Sequence, residues 1–416
     1  MSSESAAAPT FIEILKQAGL LPPERIASLE AAAAAGHPPA EAAVRSGALP
    51  QAVVDALVQS LDAPQRIPPL RIGRFLALRK LGEGGMGAVY RGIQLDDSAD
   101  GRTAGQPVAI KLLKKEAVTD QHEFAERFLR EARSALTLRH PNITGGLEAG
   151  EYEGNPFYVM EYFKGESLDL LLKREKHVAT ARALEIVIQA ARGLEFAHKL
   201  GFVHRDIKPG NLYLTAEGAT KLLDFGLVKN TNPGQEALTA PGTMVGSPNY
   251  ISPEQVRGNM VVDGRADIYS LGCTFYHLVT GRQPFGGATT ATVILKHLND
   301  PPPDPRVLAP DLSTGLVQVL FKMLSKDRDQ RYRDCTSLLA DLTAIKEGRA
   351  PTLIHDELTQ TEIQTVITPV DAIFGRNFTP QPGEALPPAP HQPPPQPPAP
   401  QKPPDSGKPW WKFWGK

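Results

Sequence analysis

Two short segments gather side chains that could carry out phosphoryl transfer. The first reads His204-Arg205-Asp206-Ile207-Lys208-Pro209-Gly210-Asn211 and the second Asp224-Phe225-Gly226. Apolar Phe202-Val203 precede the first and Leu212-Tyr213-Leu214 come after it. Its charges therefore sit between segments built for burial, where charge is costly unless it is used or paired. Moving a phosphoryl group needs a divalent cation held by hard oxygens, a carboxylate to take the hydroxyl proton, and a cation on the migrating charge. Asp206, Lys208, Asn211 and Asp224 supply those groups.

Further upstream, Leu81-Gly82-Glu83-Gly84-Gly85-Met86-Gly87-Ala88-Val89 places Gly82, Gly84 and Gly87 in GxGxxG spacing. Glycine lets backbone N–H groups approach phosphate oxygens closely. The spacing alone decides little, because hairpin turns and dinucleotide fingerprints share it. The residues just past the glycines discriminate. Ala88-Val89-Tyr90-Arg91 is strand-like, where a dinucleotide-binding unit would begin a helix. Strand, glycine loop and strand suit a flap over nucleotide phosphates. Val108-Ala109-Ile110-Lys111 then ends an apolar strand in a lysine. A strand-edge lysine is common, but the glycines upstream favour one facing phosphate. Its orienting carboxylate would come from Glu123, Glu126 or Glu131 on the helical stretch 123–138, each of which is also explained as a solvated residue.

The elements that must position these groups can be read from composition. The chain has 416 residues and a formal net charge of −1, enough for a sizeable core and more than one domain. Balanced charge gives no global case for nucleic-acid binding. Residues 1–62 are rich in Ala and Leu with apolar positions at helical spacing, broken at Gly19, Pro22-Pro23, Gly36 and Gly47, which predicts three to five short helices. Residues 63–70, with Pro64, Pro68 and Pro69, read as a linker. Residues 71–347 begin with strand-like segments at 75–81, 88–92 and 108–112. They continue with helical patterns at 183–200 and 316–324, an α+β, two-lobed architecture. Residues 348–416 read as a disordered tail, Thr-rich and then Pro-rich. The two cysteines, Cys273 and Cys335, match no metal spacing and predict a reducing, cytoplasmic compartment. The start, Met1-Ser2-Ser3-Glu4-Ser5, lacks signal-peptide character, and no uncharged apolar run approaches the ~20 residues of a membrane span.

Taken together, residues 75–345 resemble the eukaryotic-type (Hanks) serine/threonine protein kinases, and most of all their bacterial members. The resemblance implies a small β-rich lobe and a larger helical one, with ATP and Mg²⁺ (or Mn²⁺) as cofactors. It implies that the stretch Leu81, Gly82, Glu83, Gly84, Gly85, Met86, Gly87, Ala88 and Val89 covers the phosphates and that Lys111 holds them, oriented by Glu131. Asp206 would be the base, with Lys208 beside it as in Ser/Thr-specific members. Asn211 and Asp224 would bind the metal. Met160 would stand at the back of the base pocket, with the backbone of Glu161 and Phe163 facing adenine. Ser252-Pro253-Glu254 stands where the family has Ala-Pro-Glu, Arg331 would pair with Glu254, and Asp267 would brace the catalytic loop. The chain departs from the pattern in a longer polar hairpin at 95–107. It departs again at Tyr213, where a Leu or Met usually lies beneath the adenine.

By the same resemblance, Arg205 would bind a phosphate on the activation segment, 224–254. Thr239 and Thr243 are the expected autophosphorylation sites, Thr231 an ordinary loop residue, and Ser247 a hydrogen-bonding partner near Asp206 and Lys208. Protein Ser/Thr hydroxyls would be the substrates. The Thr-rich stretch 358–366 suits either a solubilising linker or a site for a phosphothreonine-binding partner. All three tryptophans lie at 410–414 among lysines, a pattern for weak membrane-surface contact through Trp410 to Trp414 or for a partner peptide. The first 62 residues resemble small helical domains that open secretion and pilus ATPases, over Gly47-Ala48-Leu49 and 52–61. Their role is open between a docking or oligomerising unit and an inert cap.

Overall fold

The N-terminal helices begin where local chemistry satisfies their free N–H groups. Thr10 closes a capping box with Glu13 ahead of α1 (Phe11–Gln17). Pro23 and Pro39 occupy the first positions of α2 (Pro23–Ala34) and α3 (Pro39–Arg45), where a missing N–H costs nothing. The fourth helix is α4 (Gln51–Leu61). The computed structural model describes residues 10–61, 66–84, 87–99, 101–113, 121–225, 248–258 and 262–352, with backbone alone for 121–124 and 127.

The helices bury Ile14, Leu15, Leu29, Val53, Val54 and Leu57, yet they do not complete a core by themselves. The same cluster takes in Leu76, Leu78, Ile93, Leu95 and Ala104 from the neighbouring sheet and its hairpin. That sheet runs β1 (Arg66–Ile72), β2 (Phe75–Gly84), β3 (Gly87–Gln94), β4 (Pro107–Leu113), then β5 (Gly146–Tyr152) and β6 (Asn155–Glu161). Its order is β1-β2-β3-β4-β6-β5, and every neighbouring pair is antiparallel. Alternation sends Phe75 and Ala77 into the inner core with Tyr90, Ile110 and Val159, while Leu76 and Leu78 meet the helices.

Residues 66–70, expected as linker, form most of β1. Pro68 and Pro69 are tolerated because β1 is the edge strand and its pairing with β2 is irregular between Arg66 and Leu70. The helices at 11–61 share their core with the sheet.

Helix α5 (Gln121–Ala135) covers the other side of β4 and β6 through Phe128, Leu129, Ala132 and Ala135. Beyond β6 a second sheet, β7-β8-β9, is formed by β7 (Gly165–Ser167), β8 (Leu212–Thr215) and β9 (Thr220–Leu222), with α6 (Leu168–Glu175) and α7 (Thr180–Lys199) between β7 and β8. The helical remainder is α8 (Pro253–Val256), α9 (Gly264–Thr280), α10 (Thr290–Asn299), α11 (Thr314–Met323) and α12 (Cys335–Lys346). α9 is buried on nearly every side; α7 and α11 pack against it, and α12 packs on α7 and α11 in the largest core. The α+β, two-lobed arrangement expected from the sequence is the one observed. Among the described residues, no helix is long and apolar enough to cross a membrane.

Candidate active site

The loop after α7 ends in a 3-10 turn, Pro209–Asn211, that feeds β8. The Asn211 amide donates to the Asp206 carbonyl at 2.8 Å and to Asp206 Oδ2 at 2.9 Å. Lys208 Nζ lies 2.9 Å from the same Oδ2. Two donors thus converge on one carboxylate oxygen and fix how Asp206 is turned. The segment carrying Asp224 is stitched to this loop. Leu223 N–H donates to the Asn211 carbonyl at 2.9 Å, and His204 Nε2 lies 2.7 Å from the Leu223 carbonyl. A carbonyl only accepts, so Nε2 carries the proton, leaving Nδ1 to accept from Asp206 N–H at 3.3 Å.

A buried carboxylate holds the loop from beneath. Asp267, on α9, accepts from His204 N–H at 2.8 Å, Arg205 N–H at 2.7 Å and His198 Nε2 at 2.8 Å. Complete burial works to raise its pKa, but the His198 hydrogen bond, the electrostatic pull of the His198 and His204 rings, and the His204 N–H outweigh it, and the net shift is downward. Arg205 sits at φ +63°, in the left-handed region that a bulky side chain rarely adopts. Its peptide groups are held on both sides, by Asp267 and by Gln255 Nε2, which donates to the Arg205 carbonyl at 2.9 Å. Such strain persists only where the surroundings over-determine it. Asp224, at φ +54°, is the second non-glycine exception at the site.

On β4, Lys111 shares a face with Ala109 and Leu113, which pack against α5, and points away from Ile110 and Leu112 of the inner core. Its Nζ meets Asp224 Oδ2 at 2.8 Å. Glu131, the expected partner of Lys111, is half-buried on α5. Asp224 Oδ1 is buried and has no hydrogen-bond partner among the described residues. With the Asn211 nitrogen spent on Asp206, Asn211 Oδ1 is left as an acceptor. Two hard oxygens from a carboxylate and an amide fit a divalent cation that completes its shell with phosphate oxygens. Among the described residues no cluster of three or more His, Cys, Asp or Glu could hold a metal unaided.

Above the site, Gly82 and Gly84 end β2, and Gly84 pairs with Gly87 at the start of β3. A Cβ on Gly87 would lie 2.2 Å from the Leu112 carbonyl, so only glycine lets this hairpin cross β4. Leu81 is exposed, Glu83 sits opposite Ala88, and Val89 sits opposite Lys111. Gly85 and Met86 lie outside the described residues. Glu161 closes β6. Its N–H donates to the Gly145 carbonyl at 3.0 Å and its Oε2 accepts Gly145 N–H at 3.1 Å. Phe163 lies in the connection from β6 to β7. Gly226, Thr231, Thr239, Thr243, Ser247 and the whole 353–416 tail also fall outside the described residues.

Ser252 caps α8, and Glu254 forms a two-point pair with Arg331 at 2.7 and 2.9 Å, nearly all of it buried. Two supporting residues escaped the sequence reading. His198, in the last turn of α7, has only its position six residues before His204 as a signal. Gln255 stands beside Glu254 and bridges the Ser252 cap to Arg205.

The protein kinase domain family matches residues 75–341. A probable serine/threonine-protein kinase of Streptomyces coelicolor is 36% identical over 293 residues, covering 70% of this chain and 42% of the relative. The serine/threonine-protein kinase PknB of Mycolicibacterium smegmatis is 36% identical over 275 residues, 65% of this chain and 43% of its own length. PknA of Mycobacterium tuberculosis is 37% identical over 284 residues, 67% of this chain and 63% of its own. The chain thus spans less than half the length of the first two relatives. The glycine hairpin, Lys111, the 204–211 loop, Asp224 and the Glu254–Arg331 pair all fall within the matched region, and the chain belongs to the protein kinase domain family.

Proposed function

We propose that this chain transfers the γ-phosphate of ATP to Ser and Thr hydroxyls of proteins. The observation that carries the reading is the convergence of Lys208 and Asn211 on Asp206, beside an Asp224 carboxylate already paired with Lys111. The substrate hydroxyl oxygen forms the new bond to phosphorus while the bond from phosphorus to the β,γ-bridging oxygen breaks. Asp206 receives the hydroxyl proton. Lys208 faces the charge that spreads over the migrating group. Lys111 takes the ATP phosphates, with the 82–87 hairpin above them, and the backbone of Glu161 and Phe163 faces the base. Asp224 and Asn211 would hold Mg²⁺, with Mn²⁺ as a substitute. Bound there, the cation would neutralise phosphate charge.

The same reading makes Thr239 and Thr243 autophosphorylation sites whose phosphate is met by Arg205. The tail would offer its threonines to a phosphothreonine-binding partner and its Trp/Lys end to a membrane surface. Cys273 and Cys335 are buried free thiols, which supports a cytoplasmic, reducing setting. The test is transfer of labelled phosphate from ATP by the full chain, with the products mapped, comparing wild type with Asp206→Asn. Incorporation should collapse in the variant, and wild-type label should fall on Thr239 or Thr243. Equal incorporation in both proteins would overturn the assignment.

A further inference from the structure

Tyr213 is a departure from the family pattern that the chemistry above leaves unused. On β8 its neighbours Leu212 and Leu214 both enter the main core. Alternation therefore turns Tyr213 to the opposite face of the small sheet. There its hydroxyl donates to the Phe163 carbonyl at 3.3 Å. The residue opposite Tyr213 on β9 is Lys221. The Lys221 ammonium lies 4.4 Å from the centroid of the Phe163 ring. One rung of the sheet thus grips one residue of the connection between β6 and β7 twice, by its carbonyl and by its ring.

The residues before Phe163 are gripped as well. Glu161 is bonded to Gly145, with Arg102 of the long polar hairpin 3.7 Å from its other oxygen. The Arg91 guanidinium sits 5.0 Å from the centroid of the Tyr162 ring. Among the described residues the Phe163 carbonyl accepts only from Tyr213. Burial raises the Tyr213 pKa above its ordinary value, so the hydroxyl keeps its proton and remains a donor.

We infer that Tyr213 is a positioning residue for the base side of the nucleotide pocket, fixing the Phe163 backbone before ATP arrives. The inference rests on the reading that Phe163 faces the base. A connection held in its binding shape loses less freedom on binding, and the benefit appears as affinity. Phosphate and catalytic-loop geometry are untouched, so turnover should stay as it is.

The test compares full-length wild type with Tyr213→Phe, which keeps the ring and removes the donor. Calorimetric titration with Mg²⁺-ATP and initial-rate kinetics are the readouts. Tyr213→Phe should weaken ATP binding and raise KM for ATP together, by about 3- to 10-fold, the range one net hydrogen bond supplies. Its kcat should stay within about twofold, since this interaction is spent on binding. If Tyr213→Phe binds ATP as wild type does, or if kcat falls in step with affinity, the inference is wrong. If wild type itself neither binds ATP nor transfers phosphate, the functional reading fails first and the inference falls with it.

Discussion

His297 should make the stability of this protein fall as the solution is acidified through the range just below neutral. The residue is fully buried on α10, which packs on the turn at Pro248–Tyr250. Its Nδ1 lies 2.9 Å from the Tyr269 hydroxyl, and its ring meets Phe285 edge-on at 4.8 Å. Nε2 is buried without a hydrogen-bond partner among the described residues. Burial and then the nearby Lys326 ammonium push the pKa from 6.5 down to about 3, against a weak opposite pull from the Asn249 backbone. The folded protein therefore keeps the ring neutral, while the unfolded chain protonates it near 6.5. Between those values the unfolded state binds more protons, so the contribution is complete above 6.5 and is lost as pH falls towards 3. At about 1.36 kcal/mol per pH unit, acidification from about pH 6.5 to about pH 5 removes roughly 2 kcal/mol. Lys326, its pKa lowered by burial to about 8, stays charged throughout and adds no slope. Asp267, whose pKa is lowered, contributes only below the ordinary aspartate range. His140 and His277 are also pulled down by burial and act in the same direction, so wild type alone does not isolate His297. Urea unfolding at about pH 7, 6 and 5 should be compared with His297→Asn, whose amide can still meet Tyr269. The variant should lose roughly 2 kcal/mol less across the range. Parallel slopes for the two proteins would refute the reasoning.

Buried contacts give two further outcomes. Arg331→Met strands Glu254 in the core and should cost about 3–5 kcal/mol in urea unfolding, with part of the loss recovered when Glu254 is also replaced by an apolar residue. Leu76→Ala opens a cavity between the sheet and the N-terminal helices and should cost about 2–5 kcal/mol. Circular dichroism and near-ultraviolet signals should still report one transition for helices and sheet, whereas two separate transitions would mean that the shared core does not couple them.

The site was readable where its chemistry is local or carried by the family resemblance, and hidden elsewhere. Asp206, Lys208 and Asn211 lie within one loop, so their mutual hydrogen bonds are already implied by their spacing. The family resemblance pointed to the brace from Asp267 at the head of α9, but not to the hold of Gln255, which comes from a helix 50 residues beyond Arg205. Neither His198 nor Gln255 carries a local pattern, because each bond depends on how helices pack. The Lys111–Asp224 pair joins a strand of the first sheet to a loop 113 residues away and is equally silent in the sequence. The N-terminal helices are a different case, because their docking was written in the sequence and passed over. Phe75-Leu76-Ala77-Leu78 is apolar at every position, and a strand without alternation is buried on both faces. The prolines of 63–70 masked β1 for a physical reason, since an edge strand can spare the N–H groups that proline lacks.

The shared core also sets an order for the chain's synthesis. The helices at 11–61 emerge first, with a leucine and valine face whose cover comes from Leu76, Leu78, Ile93, Leu95 and Ala104. At about 5–20 residues per second, the ribosome delivers that cover roughly 2–10 seconds after α4 is complete. For that interval the nascent chain presents an apolar stripe with no lid. The strand that closes it also leads directly into the glycine hairpin of the active site. Completing the first helices and forming the nucleotide flap are therefore parts of a single vectorial event.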